Sequence, residues 1–162
     1  MKRRAFAALL FSALAACADA VPPPEIEIAP ALRQIEARVV EWRFDPGTLD
    51  SPALAAEWER VLRQALDKSK LFGGGGRRLV LNARLIRLER PGFGLDMTAR
   101  AVAAYRLYED GRLLREFQIE GFGLAGIREE NDGPERARLA LRRALRDNAL
   151  RFATELAERG LP

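Results

Sequence analysis

The segment running from Leu95 to about Leu124 leaves the chain the fewest choices. Two alternating runs, Leu95 to Tyr108 and Arg112 to about Leu124, flank Glu109-Asp110-Gly111. Period-two alternation on both sides of an Asp-Gly pair predicts a β-hairpin. Two registers compete. A two-residue Asp-Gly loop would pair Glu109 with Arg112, Tyr105 with Glu116, Ala103 with Gln118 and Ala101 with Glu120, setting acids against the small apolar face of the first strand. A three-residue loop with Gly111 left-handed would pair Ala103 with Phe117, Ala101 with Ile119 and Arg100 with Glu120. The second arrangement joins apolar to apolar and opposite charges to each other. It predicts a bulged three-residue turn, with Phe117 and Ile119 on the covered face and Arg100 and Glu120 on the other.

Ala99, Ala101 and Ala103 leave little side chain above the sheet, so a helix can pack closely there. The last segment supplies one: Asp132 or Gly133 caps it, Pro134 sits in its first turn, and it runs to Glu158 before Gly160 stops it. Ala137, Leu141, Ala144, Leu145 and Phe152 form its predicted apolar face. Asn148 falls at the centre of that face, where an amide requires partners. The favoured reading is a buried amide tying the helix to a strand or loop; the sharper one is a polar group in an internal ligand cavity.

Upstream, Val40, Trp42 and Phe44 alternate within a strand from Arg38 to Phe44, ended by Asp45-Pro46-Gly47. Ser51 and Pro52 then open a helix whose Leu54, Trp58, Val61, Leu62 and Ala65 share one face, ending near Lys70. Gly73-Gly74-Gly75-Gly76 invites a phosphate-loop reading, but Arg77-Arg78 and a strand from Leu79 to Glu89 follow it, where Gly-Lys-Ser/Thr and a helix are required. The run reads as a flexible helix-to-strand connection. The predicted fold is α+β: a four-stranded mixed sheet in the order β-α-β-β-β-α with both helices packed on one face.

The single cysteine of the 162 residues, Cys17, stands after a basic start (Lys2, Arg3, Arg4), an apolar run from Ala5 to Leu14, and Ala15-Ala16. This is the three-part layout of a secretory signal, and the apolar run is too short to span a bilayer. Leu14-Ala15-Ala16-Cys17 resembles the lipobox of bacterial lipoproteins. The resemblance implies that residues 1–16 are removed and that Cys17 becomes the lipidated first residue of the mature chain. Ala18, beside the cysteine, then points to the periplasmic face of the outer membrane more than to the inner membrane. Residues 17–34, with Val21-Pro22-Pro23-Pro24, read as lipid anchor and extended tether, and 35–162 as a single periplasmic domain. The element order and the closing "RLALRRALRDNALRFATELAE" are similar to small proteobacterial envelope lipoproteins of the YajG-like type, which implies an accessory or assembly role.

The formal charge of +4 hints at nucleic acid, but the three basic residues at 2–4 belong to the signal. Without them, 24 of the 27 basic residues face 23 acidic ones, and no polyanion-binding footprint remains. With no histidine, Ser-His-Asp and Cys-His nucleophile systems are excluded. The acids follow no calcium-loop spacing, and Glu129-Glu130-Asp132 reads as the solvated lead-in to the last helix. No catalytic residue, metal site or cofactor is expected beyond the lipid on Cys17. Arg136, Arg142, Arg143 and Arg146, with Leu139 and Leu150 among them, fall on the outer face of the last helix. Guanidinium groups pair bidentately with carboxylates and phosphates, so Leu139, Arg142, Arg143, Arg146 and Leu150 are the candidate surface for an envelope protein partner or a lipid headgroup. The expected function is non-catalytic binding or scaffolding in an envelope complex. The alternatives are a lipid-transport auxiliary that admits an acyl chain between sheet and helices, and a carboxylate-based hydrolase.

Overall fold

The computed structural model describes residues 34–47 and 49–162; the expected signal segment, Cys17 and the expected tether, up to residue 33, lie outside them. The described chain runs β1 (Ile35–Asp45), α1 (Pro52–Lys68), β2 (Phe72–Glu89), β3 (Asp96–Glu109), β4 (Arg112–Gly126) and α2 (Gly133–Arg159). The strands form one sheet in the order β1-β2-β3-β4, parallel between β1 and β2 and antiparallel elsewhere. This is the predicted mixed sheet, and the helices cover one of its faces.

Both helices start where their caps require. Ser51 Oγ accepts from the Leu54 amide, with Pro52 following it, and Asp132 Oδ1 accepts from the Glu135 amide at 2.9 Å, with Pro134 in the first turn. Leu54, Trp58, Val61, Leu62, Ala65 and Leu66 are buried on α1, as its periodicity predicts. On α2 the buried face is Ala140, Ala144, Leu145, Asn148, Ala149, Phe152, Ala153 and Leu156, joined by Arg136. Ala137 and Leu141, predicted for that face, are half-buried at its margin.

The hairpin differs from its predicted form. Asp110 (φ 49°) and Gly111 (φ 80°) make a two-residue turn with Glu109 opposite Arg112, since two consecutive left-handed residues match the twist of the strands. The bulge lies further in, at Leu114: Tyr108 pairs with Leu113, and Leu107 with Arg115. From there Ala103 faces Ile119 and Ala101 faces Gly121, two positions from the predicted register. A shift of two leaves every side chain on its expected face, so Phe117 and Ile119 are covered and Arg100 is bonded to Glu120 on the open side.

The glycine run is also corrected. It belongs to β2, whose register steps from Ile35–Phe72 to Ala37–Arg77, a wide bulge against β1. A Cβ on Gly75 would come within 2.5 Å of the Glu36 carbonyl oxygen, and Gly74 takes a positive φ of 82°, so these two glycines serve the bulged strand contact. In β1 a second bulge, between Val39 and Glu41, turns Val40 outward while Trp42 and Phe44 stay with the core.

The two helices meet the sheet differently. Beneath α2 the sheet presents Ala99, Ala101, Gly121 and Gly123, and the helix comes down almost to backbone contact. Beneath α1 the space is filled by Trp58, Leu62, Leu79, Leu81 and half-buried Phe44. A chain of rings crosses this wedge: Phe44 against Trp58 at 6.0 Å, Trp58 against Tyr105 at 6.2 Å, and Tyr105 stacked on Phe152 at 3.9 Å. A Cβ on Gly123 would lie 2.0 Å from the Ala140 carbonyl oxygen and 2.5 Å from the Ala144 nitrogen. Gly123→Ala therefore has to part helix from strand. Urea unfolding is expected to register a loss of about 3 kcal/mol, whereas Gly92→Ala, which meets nothing within 4 Å, should leave stability unchanged.

Candidate functional site

On the arginine-rich side of α2, the candidate partner surface, the arginines are engaged in ion pairs at the surface. Arg142 reaches across the seam between the helices to Glu57 of α1 at 3.2 Å. Arg143 leans the other way, bonding Glu129 through both terminal nitrogens at 2.7 and 2.9 Å and donating to the Leu124 carbonyl. Arg146 is half-buried, and Leu139 and Leu150 pack partly against the core. Arg136, read as outer-face, is buried at 6% exposure because its guanidinium donates to the carbonyls of Glu130, Asn131 and Gly94. The five candidate residues share a ridge, but two of its arginines serve opposite flanks of the helix.

Arg143 belongs to a set that covers the last stretch of one sheet edge, from Phe122 to Gly126. β4 is an edge strand, and its outward backbone groups at alternate residues are met from α2 and the loop before it. Asp147 accepts from the Phe122 amide at 2.8 Å, Arg143 donates to the Leu124 carbonyl, and Glu129 accepts from the Gly126 amide at 3.0 Å. A strand edge left open is a template for further pairing, and these side chains occupy it. The Arg143 guanidinium and the Gly126 amide together pull the Glu129 carboxyl down to about 2.

Asn148 answers the question its position raised. It is fully buried; its Oδ1 accepts from the Tyr105 hydroxyl at 2.5 Å, and its Nδ2 donates to the carbonyls of Ile119 at 2.7 Å and Ala101 at 3.3 Å. The amide ties α2 to both β3 and β4, as the favoured reading has it, and burial pushes the Tyr105 hydroxyl upward, keeping it a donor. An acyl chain between α2 and the sheet would have to displace this network.

Four of the described acids are held in their charged form by arginine. Arginine holds Glu41, Asp50 and Glu109 below the ordinary carboxylate range through Arg43, Arg90 and Arg77, as Arg143 holds Glu129. On the open face of the sheet the charges pair across strands, Arg106 with Glu116 at 2.8 Å and Arg84 with Asp45 at 3.2 Å. Among the described residues no group of three or more His, Cys, Asp or Glu side chains could hold a metal ion, and no helix is long and apolar enough to cross a membrane. Trp42, the residue best suited to stack a ligand, carries Arg63 over its ring at 4.5 Å.

A groove and an exposed loop lie near the first turns of the helices. Leu49, Leu54, Leu88, Ala137 and Leu141 line a groove of about 650 Å³ between the first turns of the two helices, walled by Glu57 and Arg142. Beyond it, Phe93 stands fully exposed in the β2–β3 loop, with Leu95 at 68% exposure. Sequence reasoning passed over both residues, placing Leu95 in the strand. The available signal was an aromatic between two glycines, Pro91-Gly92-Phe93-Gly94, outside any periodic segment.

The fold recurs in solved structures. A minor lipoprotein from Acinetobacter baumannii superposes with a TM-score of 0.55 at 12% identity, over 80% of this chain and 97% of that one. A protein of the DUF330 family from Xanthomonas campestris does so with a TM-score of 0.53, also at 12% identity, over 84% and 94%. At such identity the likeness is one of fold. No protein family matches the chain by its sequence pattern, and no curated protein matches its sequence.

Asn148→Leu strips the Tyr105 hydroxyl of its acceptor inside the core and should cost about 3 kcal/mol by denaturant unfolding. The Glu129 clasp carries a pH signature. Because the folded carboxyl is lowered from 4.5 to about 2, its stabilisation is complete above pH 4.5 and is lost as pH falls toward 2. Glu129→Gln should be less stable than wild type at pH 6, with the gap closing by pH 2.

Proposed function

We propose that the protein is a lipid-anchored, non-catalytic binding or scaffolding component of a cell-envelope complex, held on the periplasmic face of the outer membrane through Cys17. The observation that carries this reading is the lipobox Leu14-Ala15-Ala16-Cys17 placed ahead of a proline-rich segment and a domain whose fold is shared with a bacterial lipoprotein. The chemistry of the domain is consistent with it. Arginine pairs hold the Glu41, Asp50, Glu109 and Glu129 carboxylates in their charged form, and a surface of matched charges suits a module that works through contact. More than one acyl chain on a single cysteine gives lasting anchorage where one gives marginal binding.

The test is metabolic labelling with a fatty acid in cells expressing the full chain. Wild type should incorporate the label and fractionate with the outer membrane, while Cys17→Ala should lose the label and keep its uncleaved mass. Label retained in Cys17→Ala would refute the anchor.

A further inference from the structure

The two edges of the sheet end differently. Along β4 the backbone groups from Phe122 to Gly126 are met by Asp147, Arg143 and Glu129. β1 is the other edge, and among the described residues β2 is its one strand neighbour. Ile35 donates its amide to the Leu71 carbonyl on the β2 side at 2.7 Å, so Glu36 and Arg38, which alternate with it, turn their backbone groups to the free edge. A strand of 11 residues with no proline can accept another strand there.

The charges of β1 select which strand that is. Glu36, Arg38, Glu41 and Arg43 stand exposed on the open face of the sheet, negative and positive in turn. The fifth charge, Asp45, is taken by Arg84 of β2 at 3.2 Å. Arg38 lies opposite Arg78 in the β1–β2 register, and like charges so placed repel, so an acid on its other side relieves both. On the covered side, Glu59 and Arg63 of α1 pair with each other at 2.8 Å and leave no net charge over the edge. A second β1, set antiparallel about a two-fold axis between Val39 and Val40, answers this pattern. Glu36 then faces Arg43 of the copy and Arg38 faces Glu41 of the copy, and each pair occurs twice because the contact is isologous.

The bulge makes the register fit. Glu36 and Arg43 lie an odd number of positions apart and in a regular strand would point to opposite faces; the extra residue at Val40 returns both to the open face. Ala37 then pairs with Trp42 of the copy, and Ile35 with Phe44, all on the helix-covered face. Bulges commonly blunt an edge, but here each copy brings the same extra residue to the axis, where Val40, 42% exposed, meets its counterpart. Sliding the copy two residues one way sets Glu36 against Glu41, and the other way sets Arg38 against Arg43 and Glu36 against Asp45. Main-chain hydrogen bonds supply the affinity of such a pairing, and the charges fix its register.

We propose that β1 is a self-association edge, through which two copies of this chain pair antiparallel and join their four-stranded sheets into one. The pairing stands on the sheet edge and does not rest on the lipid-anchor reading.

The test is thiol crosslinking in cells that express the full chain. Val40→Cys places one thiol beside the axis in each copy, with Cβ atoms about 5 to 8 Å apart, and a short bis-maleimide should yield a covalent dimer. Wild type, whose single cysteine is Cys17, and Ile86→Cys, exposed toward the far end of β2, should yield none. Added to Val40→Cys, Arg38→Glu sets acid against acid and Glu41→Arg sets base against base, and each should lower the dimer about tenfold. The two together restore the pair with its signs exchanged and should bring the dimer back, while every purified chain keeps the wild-type circular dichroism spectrum. No dimer from Val40→Cys, a dimer that ignores the single changes, or a folded double variant that fails to recover it would each overturn the proposal. An adduct to another protein would give the edge to a different partner and overturn it as well. So would a link closed within one chain in Ile28→Cys combined with Val40→Cys, which would give the edge to residues 25–28 of the same chain. The Val40→Cys dimer, present or absent, decides even where a charge variant fails to fold.

Discussion

The close approach of α2 to β4 is the contact on which the rest of the domain depends. Gly121 and Gly123 face Ala144, Asn148 and Ala140 with no room for a single methyl group between them. Bringing backbones this near excludes water from the sheet's polar groups. It works because one amide, Asn148, arrives with bonds for the Ile119 and Ala101 carbonyls and the Tyr105 hydroxyl. An unsatisfied amide at that depth would cost as much as the packing contributes. Close packing and polar satisfaction are therefore one arrangement.

Its consequences spread outward. With α2 low on β3 and β4, its flank overhangs the β4 edge, and Asp147 and Arg143 reach the Phe122 amide and the Leu124 carbonyl. With α1 held higher by Trp58 and Leu62, the interior becomes a wedge that aromatic rings fill from Phe44 to Phe152. The same asymmetry opens the groove between the first turns of the helices. Arg136, on the first turn of α2, carries the order on to the loops through the Glu130, Asn131 and Gly94 carbonyls.

Much of this was legible in the sequence, and the misses have physical causes. Helix starts were readable because Ser51-Pro52 and Asp132-Gly133-Pro134 are local signals, and the strand faces because apolar alternation reports parity. Parity cannot distinguish registers two residues apart, so the hairpin turn went wrong while Phe117 and Ile119 stayed on the right face. The glycine run misled because glycine serves flexible links and close contacts alike, and only the position of the Glu36 carbonyl decides between them. Arg136 read as outer-face because helix periodicity places a Cβ and says nothing of where a long side chain takes its guanidinium. Asn148 was found because a polar residue in an apolar stripe is itself a signal, whereas Phe93 broke no pattern.

Native-state amide hydrogen exchange measures the dependence of the domain on the α2–β4 seam most directly. The amides of Gly121 and Gly123 and of α2 from Ala144 to Phe152 should form the slowest class and exchange only with global unfolding, while those of β1 and the first turns of α1 open earlier. If α2 instead exchanges through a partial opening while β1 and α1 remain protected, the seam is not what holds the fold, and the account is wrong at its centre.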